Sequence, residues 1–274
     1  MTDASDRAAV PGPPPDVLIC AGLDPSGGAG LIADVRVVSE LGCRPVGVVT
    51  ALTVQNTTAV VAVEVLNPDT VREQLEFLLS DVEVRAVKIG MIGSSEIARA
   101  IAGALALTQA PVVWDPVVQP SRGDVRFVDR QFDDAVTALA PHLTVLTPNA
   151  GELALLTGAT IASAADAERA GQALARRLDT AVLVKGGHVG VGEPDGPVES
   201  IDLLCRPGSV DVLRGARVPG GEHVHGTGCA LSSAIAAHLA RGAGLLDACR
   251  AAKQFVAARL AAPIHPGRGA AAVM

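Results

Sequence analysis

Short runs of Val, Leu and Ile alternate along most of this chain with longer segments rich in Ala, Leu, Glu and Arg, and no other feature narrows the fold as much. A strand buried on one face alternates apolar and polar residues, whereas a strand buried on both faces reads as an unbroken apolar run and needs helices on both sides of a parallel sheet. Candidate strands are Val17 to Leu23, Val46 to Leu52, Ala86 to Ile89, Val112 to Trp114, Thr144 to Leu146 and Ala181 to Val184. Helices are expected over Ala29 to Glu40, Asp69 to Leu79, Ser95 to Leu105, Gly151 to Thr157, Ala164 to Arg177, Thr227 to Ala240 and Leu245 to Ala261. The second has the clearest start: Asn67 caps its free amides and Pro68 supplies a preset helical φ. The Gly- and Pro-richer stretch Gly190 to Gly221 holds two runs, Ile201 to Cys205 and Val210 to Leu213, that suit an antiparallel hairpin at a sheet edge. The expectation is an α/β fold, a mostly parallel central sheet with flanking helices, formed by residues 16–274 as a single domain behind a flexible Pro-rich tail over 1–15.

Composition excludes several classes of partner. Lys plus Arg total 22 against 29 for Asp plus Glu, a net charge of -7 with no electrostatic footprint for nucleic acid or an anionic membrane. Aromatics are 2% with no Tyr, so base-stacking platforms are missing too. The five cysteines form no C-x-x-C pair, which suits neither a disulfide framework nor a zinc site and points to the reducing cytoplasm. The N-terminus has no apolar h-region, and no stretch reaches the roughly 18 apolar residues of a membrane span. A small-molecule partner is expected, with no nucleic acid and no membrane.

In open α/β sheets ligands bind where strands end and turn into the next helix, and the motifs fall in such loops. His225-Gly226-Thr227-Gly228-Cys229 precedes a helix of small residues, whose unpaired first amides and dipole make an anion hole suited to a transferring phosphoryl group. Taken alone, the motif equally describes a glycine turn that starts a helix. Asn149-Ala150-Gly151-Glu152 puts an amide and a carboxylate at a helix start, either to hold Mg²⁺ or as a reciprocal capping pair. Asp115, just past a strand, is a second Mg²⁺ candidate or a turn residue. Lys185 in Lys185-Gly186-Gly187-His188 ends a strand, where it neutralises phosphate charge or snorkels from the sheet, and the glycines allow close approach of a nucleotide. His188 is read as structural or solvent-facing. The loop Gly22 to Gly30 lacks the G-K-S/T ending of a Walker loop and a clean G-x-G-x-x-G, so a glycine-rich lip for a small substrate fits better. Thr50 to Thr57 leaves the second strand and by itself is read as a polar loop, from which Gln55 offers a two-point amide to an amino-bearing heteroaromatic ring.

In order and spacing, G-L-D-P-S-G-G-A-G, T-V-Q-N-T, K-I-G-M-I-G-S, W-D-P-V, T-P-N-A-G-E, V-K-G-G-H and H-G-T-G-C resemble the hydroxymethylpyrimidine kinase family of thiamine biosynthesis, over roughly Val17 to Arg241. The resemblance implies a three-layer αβα ribokinase-like fold, often a homodimer, that uses ATP and Mg²⁺ to phosphorylate 4-amino-5-hydroxymethyl-2-methylpyrimidine and then its monophosphate. It implies substrate-side positions at Gly22, Asp24, Ala29, Thr53, Gln55 and Met91, with Gln55 reading the aminopyrimidine edge. Lys185, with Asn149 and Gly187, then falls on the ATP side, Asp115 and Glu152 near Mg²⁺, and Gly226, Thr227, Gly228 and Cys229 at the catalytic anion hole. Cys229 stands where many sugar kinases of the superfamily carry an Asp base. A thiol at a helix N-terminus has a lowered pKa, so Cys229 is expected to be able to take the substrate proton, with positioning and charge neutralisation contributing more than this base.

The chain departs from the family pattern twice. Where members usually read V-M-V-A-K/T-S-G-D it has Val117-Val118-Gln119-Pro120-Ser121-Arg122-Gly123-Asp124, a changed flap. In place of K-N-T before H-G-T-G-C stands Glu222-His223-Val224, whose carboxylate weakens triphosphate binding unless it turns away or pairs with a base such as Arg217. The rival readings are a pyridoxal or dual-specificity kinase of the same fold and, in another class, a weakened pyrimidine-binding sensor. A dehydrogenase fits least, because Thr50 to Thr53 stand where a ribose-binding acid belongs.

Overall fold

A computed structural model describes residues 12–118, 132–186 and 199–274. Nine strands form one sheet: β1 Asp16–Leu23, β2 Arg44–Gln55, β3 Val60–Val65, β4 Val84–Ile89, β5 Val112–Trp114, β6 Val145–Leu146, β7 Ala181–Val184, β8 Glu199–Arg206 and β9 Ser209–Ala216. The helices are α1 Gly30–Glu40, α2 Pro68–Leu79, α3 Ser95–Leu105, α4 Phe132–Leu139, α5 Ala150–Thr157, α6 Ala164–Leu178, α7 Thr227–Ala240 and α8 Leu245–Leu260. The sheet order is β3-β2-β1-β4-β5-β6-β7-β8-β9, with β2-β1-β4-β5-β6-β7 parallel and an antiparallel strand or ribbon at each edge.

Strand β1 shows why its sequence is apolar after Asp16. Val17, Ile19 and Ala21 pack in a core with α1, α7 and α8, while Leu18 and Cys20 pack in a second core with α2, α3, α4, α5 and α6. Successive side chains of a strand point to opposite faces, so a helical layer on each side leaves no position for a polar residue. Helix α7 has no amphipathic stripe for a related reason. Its residues Ala230–Ala237 are all buried, packed against α1, α8 and β4, and only small side chains let so many neighbours approach.

The expected helix starts hold: Asn67 accepts a hydrogen bond from the Asp69 amide with Pro68 at the first position, and β8 and β9 form the expected antiparallel ribbon at a sheet edge. Two elements escape the sequence reading. Strand β3 is an edge strand with Val61 and Val65 exposed, so its V-V-A-V-E-V run carries no burial pattern, and α4 has only eight residues. The polar loop expected after Leu52 is corrected: β2 continues to Gln55 and pairs with β3, since an antiparallel partner supplies the hydrogen bonds that strand needs. Thr53 and Gln55 therefore project from a strand, two residues apart on one face.

Candidate active site

Strand order reverses at β1, which carries β2 on one side and β4 on the other, and this switch point is where a doubly wound sheet opens a crevice. The carboxyl ends of β1, β4, β5, β6 and β7 meet there on a cavity of about 1120 Å³. Gly22, Asp24, Ala29, Thr53, Gln55 and Met91 line one region of its wall. Asp115, Asn149, Glu152 and Lys185, together with Gly226, Thr227, Gly228 and Cys229, line another. Residues from position 22 to position 229 thus converge on one space; Gly187, His188 and the flap beyond Val118 lie outside the described residues.

The start of α7 is exposed to that space. Its cap residue Gly226 has φ +81° and provides no side-chain cap, which leaves the first-turn amides without a local acceptor. A Cβ on Gly226 would lie 2.0 Å from the Gly28 carbonyl oxygen, so only glycine lets this loop lie against the glycine-rich lip. A Cβ on Gly228 would lie 3.2 Å from Lys185 Nζ and 3.4 Å from Asp115 Oδ2. The helix start therefore faces a cation and a carboxylate at contact range. Thr227 contributes through its amide, since its hydroxyl donates to the Val224 carbonyl at 3.0 Å.

Lys185 Nζ donates to Asp115 Oδ1 at 2.6 Å and stands 3.6 Å from Glu152 Oε2. Burial opposes the Lys185 charge, but the two carboxylates outweigh it and hold the amine above its ordinary pKa. Burial raises the Glu152 carboxyl, with Lys185 pulling it back and Asp115 adding to the rise. The capping alternative for Glu152 also holds: Asn149 Oδ1 accepts from the Glu152 amide at 2.9 Å and Glu152 Oε2 accepts from the Asn149 amide at 2.7 Å. One residue serves both, because the capping box points the carboxylate across the strand ends toward Lys185. Gly186 has a packing role that the sequence did not suggest. A Cβ there would sit 1.5 Å from the Ile201 carbonyl, so β8 requires the glycine whatever the ligand.

The expected lowering of the Cys229 pKa is corrected. Burial pushes this thiol up to about 12; the Lys88 charge and the Gly30 amide lower it, while Asp34 and Asp115 raise it. Desolvation outweighs the Lys88 charge and the Gly30 amide, so the resting sulfur is a protonated thiol, half-buried at the cavity wall. Of the two expectations for Glu222, pairing with a base holds: its Oε2 lies 3.7 Å from Arg217 Nη2.

Asp24, at the cavity wall, also organises its own loop. Its Oδ1 accepts from the Ser26 amide at 2.8 Å and hydroxyl at 2.7 Å, and its Oδ2 accepts from the Ala29 amide at 3.1 Å and faces His225 Nε2 at 3.3 Å. Burial opposes ionisation there, but the His225 and Ser26 hydrogen bonds outweigh it and hold the carboxyl below its usual range.

A profile described as phosphomethylpyrimidine kinase matches residues 24–274. The chain belongs to the phosphomethylpyrimidine kinase family. The hydroxymethylpyrimidine/phosphomethylpyrimidine kinase of Streptomyces coelicolor is 38% identical over 256 residues, covering 93% of this chain and 92% of its own. The crystal structure of phosphomethylpyrimidine kinase from Clostridium difficile superposes with a TM-score of 0.74 at 33% identity, covering 89% of this chain and 98% of that one. Pyridoxal kinase from Staphylococcus aureus, in complex with AMP-PCP and pyridoxal, superposes with a TM-score of 0.81 at 28% identity, covering 94% and 92%. The fold is accordingly ribokinase-like and the chain an ATP-dependent kinase.

Within this kinase fold the sequence reading missed three groups. Lys88 and Asp34 form a fully buried ion pair at 2.5 Å, and Ser233 donates to the same carboxylate at 2.8 Å, tying β4, α1 and α7 together beneath the start of α7. Lys253 bridges Asp202 at 2.7 Å and Ser200 at 3.1 Å in another stretch of the cavity wall. His225, read only as the first letter of a motif, faces both Asp24 and Gln55. Local patterns gave none of these, since each pairs residues more than 50 positions apart.

Proposed function

We propose that the chain transfers the γ-phosphoryl group of ATP to the hydroxymethyl of 4-amino-5-hydroxymethyl-2-methylpyrimidine, and a second one to the resulting monophosphate, in thiamine biosynthesis. The observation that carries this reading is the uncapped start of α7 facing Lys185 and Asp115 across a cavity that also holds Gln55. Phosphoryl transfer asks a protein mainly for positioning and charge neutralisation. First-turn amides of α7 receive the moving phosphoryl group, Lys185 balances its charge, and Gln55 holds the pyrimidine edge.

The donor set fits Mg²⁺. Asp115 and Glu152 leave Lys185 with two carboxylates for one ammonium, and among the described residues no group of three or more His, Cys, Asp or Glu forms a cage. Mg²⁺ is usually held by one or two carboxylates, with substrate phosphates and water completing the shell. Bound there, the ion would neutralise charge on the β- and γ-phosphates. Asp115 and Glu152 would hold it, freeing Lys185 to turn from Asp115 toward phosphate, with Asn149 alongside. Cys229, protonated at rest, acts first by lining the acceptor alcohol; the alcohol passes its proton late, once its oxygen is bonding to phosphorus, to an oxygen of the phosphoryl group it receives.

Residues 16–274 act as one kinase domain behind residues 1–15, and the protein works in the cytoplasm as a homodimer. The five free thiols suit a reducing compartment, and among the described residues no helix is long and apolar enough to cross a membrane. The test is a coupled ADP-release assay on hydroxymethylpyrimidine, its monophosphate and pyridoxal. Turnover of both pyrimidines is expected. Pyridoxal turned over in preference would establish the rival kinase reading, and pyrimidine binding without ADP release would establish a sensor.

A further inference from the structure

His225 joins two parts of the cavity that the chain brings together from opposite ends. Its Nε2 lies 3.3 Å from Asp24 Oδ2 and 3.3 Å from Gln55 Nε2. The far end of the Gln55 amide, Oε1, stands 3.2 Å from Thr53 Oγ1, and that hydroxyl lies 2.8 Å from the Leu23 carbonyl oxygen, to which it donates. The imidazole itself is held in place. Its own residue's amide donates to the Ala271 carbonyl at 2.7 Å, its carbonyl accepts from the Val273 amide at 3.2 Å, and a Cβ on Gly28 would meet its Cδ2 at 2.9 Å.

Counting hydrogens decides what these contacts mean. A carboxylate only accepts, so an imidazole nitrogen facing Asp24 Oδ2 is favourable only if it carries hydrogen. A protonated Nε2 has no lone pair for an amide N–H, so the Gln55 atom facing it must be the oxygen. A half-turn of the amide exchanges oxygen and nitrogen without changing the group's shape. The nitrogen then faces Thr53 Oγ1, which has given its single hydrogen to Leu23 and accepts. Either arrangement asks one hydrogen to serve two acceptors, that of His225 Nε2 here or that of Thr53 in the opposite one, but only the opposite one sets a nitrogen lone pair against a carboxylate.

We propose that His225 is a positioning residue, protonated on Nε2, that locks the Gln55 amide with its oxygen toward His225 and its nitrogen toward Thr53, and so fixes which heterocycle edge the cavity accepts. This rests on the reading that Gln55 binds the pyrimidine. An unrestrained primary amide can pair with an aminopyrimidine edge, donor beside acceptor, or by flipping with the reversed edge of the 4-oxo analogue. The bound hydroxymethyl group sets the ring's direction, so a locked amide matches one of the two and leaves buried polar atoms unpaired against the other.

Two measurements test this. Long-range ¹H–¹⁵N correlation on the ligand-free protein, with the His225 signals assigned by their loss in His225→Gln, is expected to show hydrogen on Nε2. A ring protonated only on Nδ1 would overturn the proposal, whatever the enzyme's substrate proves to be. The second is the ratio of kcat/KM for 4-amino-5-hydroxymethyl-2-methylpyrimidine over its 4-oxo analogue. His225→Ala is expected to lower that ratio about tenfold or more, and His225→Gln, whose terminal amide offers a donor near the Nε2 position, to restore most of it. Loss of fold or of general activity lowers both rates and leaves the ratio alone; a ratio unchanged in His225→Ala would sink the lock. Failure of the wild-type protein to phosphorylate either pyrimidine would instead overturn the proposed function, and the ring measurement would still decide the His225–Gln55 arrangement.

Discussion

Alkylation of Cys229 across pH separates a preformed thiolate from a resting thiol. Iodoacetamide reacts with thiolate, so its rate follows the ionised fraction. With the thiol pushed from an ordinary 9.0 to about 12, the ionised fraction at pH 7.5 falls from about 3% to about 3 in 10⁵, roughly a thousandfold. Cys229 is the half-buried cysteine, the other four being at most 5% exposed, so peptide mapping reads its modification separately. The rate is expected to climb about tenfold per pH unit from pH 6 to 10 without levelling. A plateau between pH 7 and 8 would refute the argument that burial outweighs the Lys88 charge and the Gly30 amide, and would restore a thiolate base. Cys229→Ala is expected to lower kcat about tenfold through lost contact with the acceptor alcohol, whereas a loss of about 10²-fold or more would point to a base. Near-normal turnover would remove Cys229 from the mechanism while leaving the α7 amides in place.

Lys88→Met strands a fully buried Asp34 carboxylate and is expected to cost about 3–5 kcal/mol in urea unfolding, with Asp34→Leu in the same chain recovering most of it; equal stability of the single and double variants would refute an ionised pair. Gly226→Ala, at φ +81° and with its Cβ driven onto the Gly28 carbonyl, is expected to abolish turnover while leaving hydrogen exchange in the distant α2 unchanged. Cys20, Cys205, Cys229 and Cys249 all have folded-state pKa values of about 12. Above an unfolded value of about 9 the unfolded chain binds fewer protons than the native one. Their contribution is therefore intact below pH 9 and is lost as pH rises toward 12, so the urea midpoint is expected to fall between pH 9 and 10.5, less steeply in Cys249→Ala. Asp24 behaves in the opposite sense: with its carboxyl held low, its stabilisation is present above the unfolded value and lost as pH falls through the folded one, so Asp24→Asn is expected to flatten acid unfolding monitored by circular dichroism.

The sequence by itself determined the layered α/β design, the helix starts and the family. Apolar runs such as Val17 to Ala21, the Asn67-Pro68 cap and the ordered glycine motifs are properties of contiguous residues, and contiguous residues obey local backbone sterics and burial periodicity. It also indicated which loops line the cavity, because strand ends in a doubly wound sheet open on the same side. Only the tertiary structure decided how those residues are charged and bonded. Cys229 is a thiol because buried protein, with Asp34 and Asp115 from other elements, surrounds a helix start that in isolation would favour a thiolate. Asp24 is committed to its own loop and to a histidine 201 positions away, and Lys88 to an aspartate on α1. Protonation and hydrogen-bond allegiance depend on desolvation and on neighbours remote in the chain, and these exist only once the sheet has closed around them.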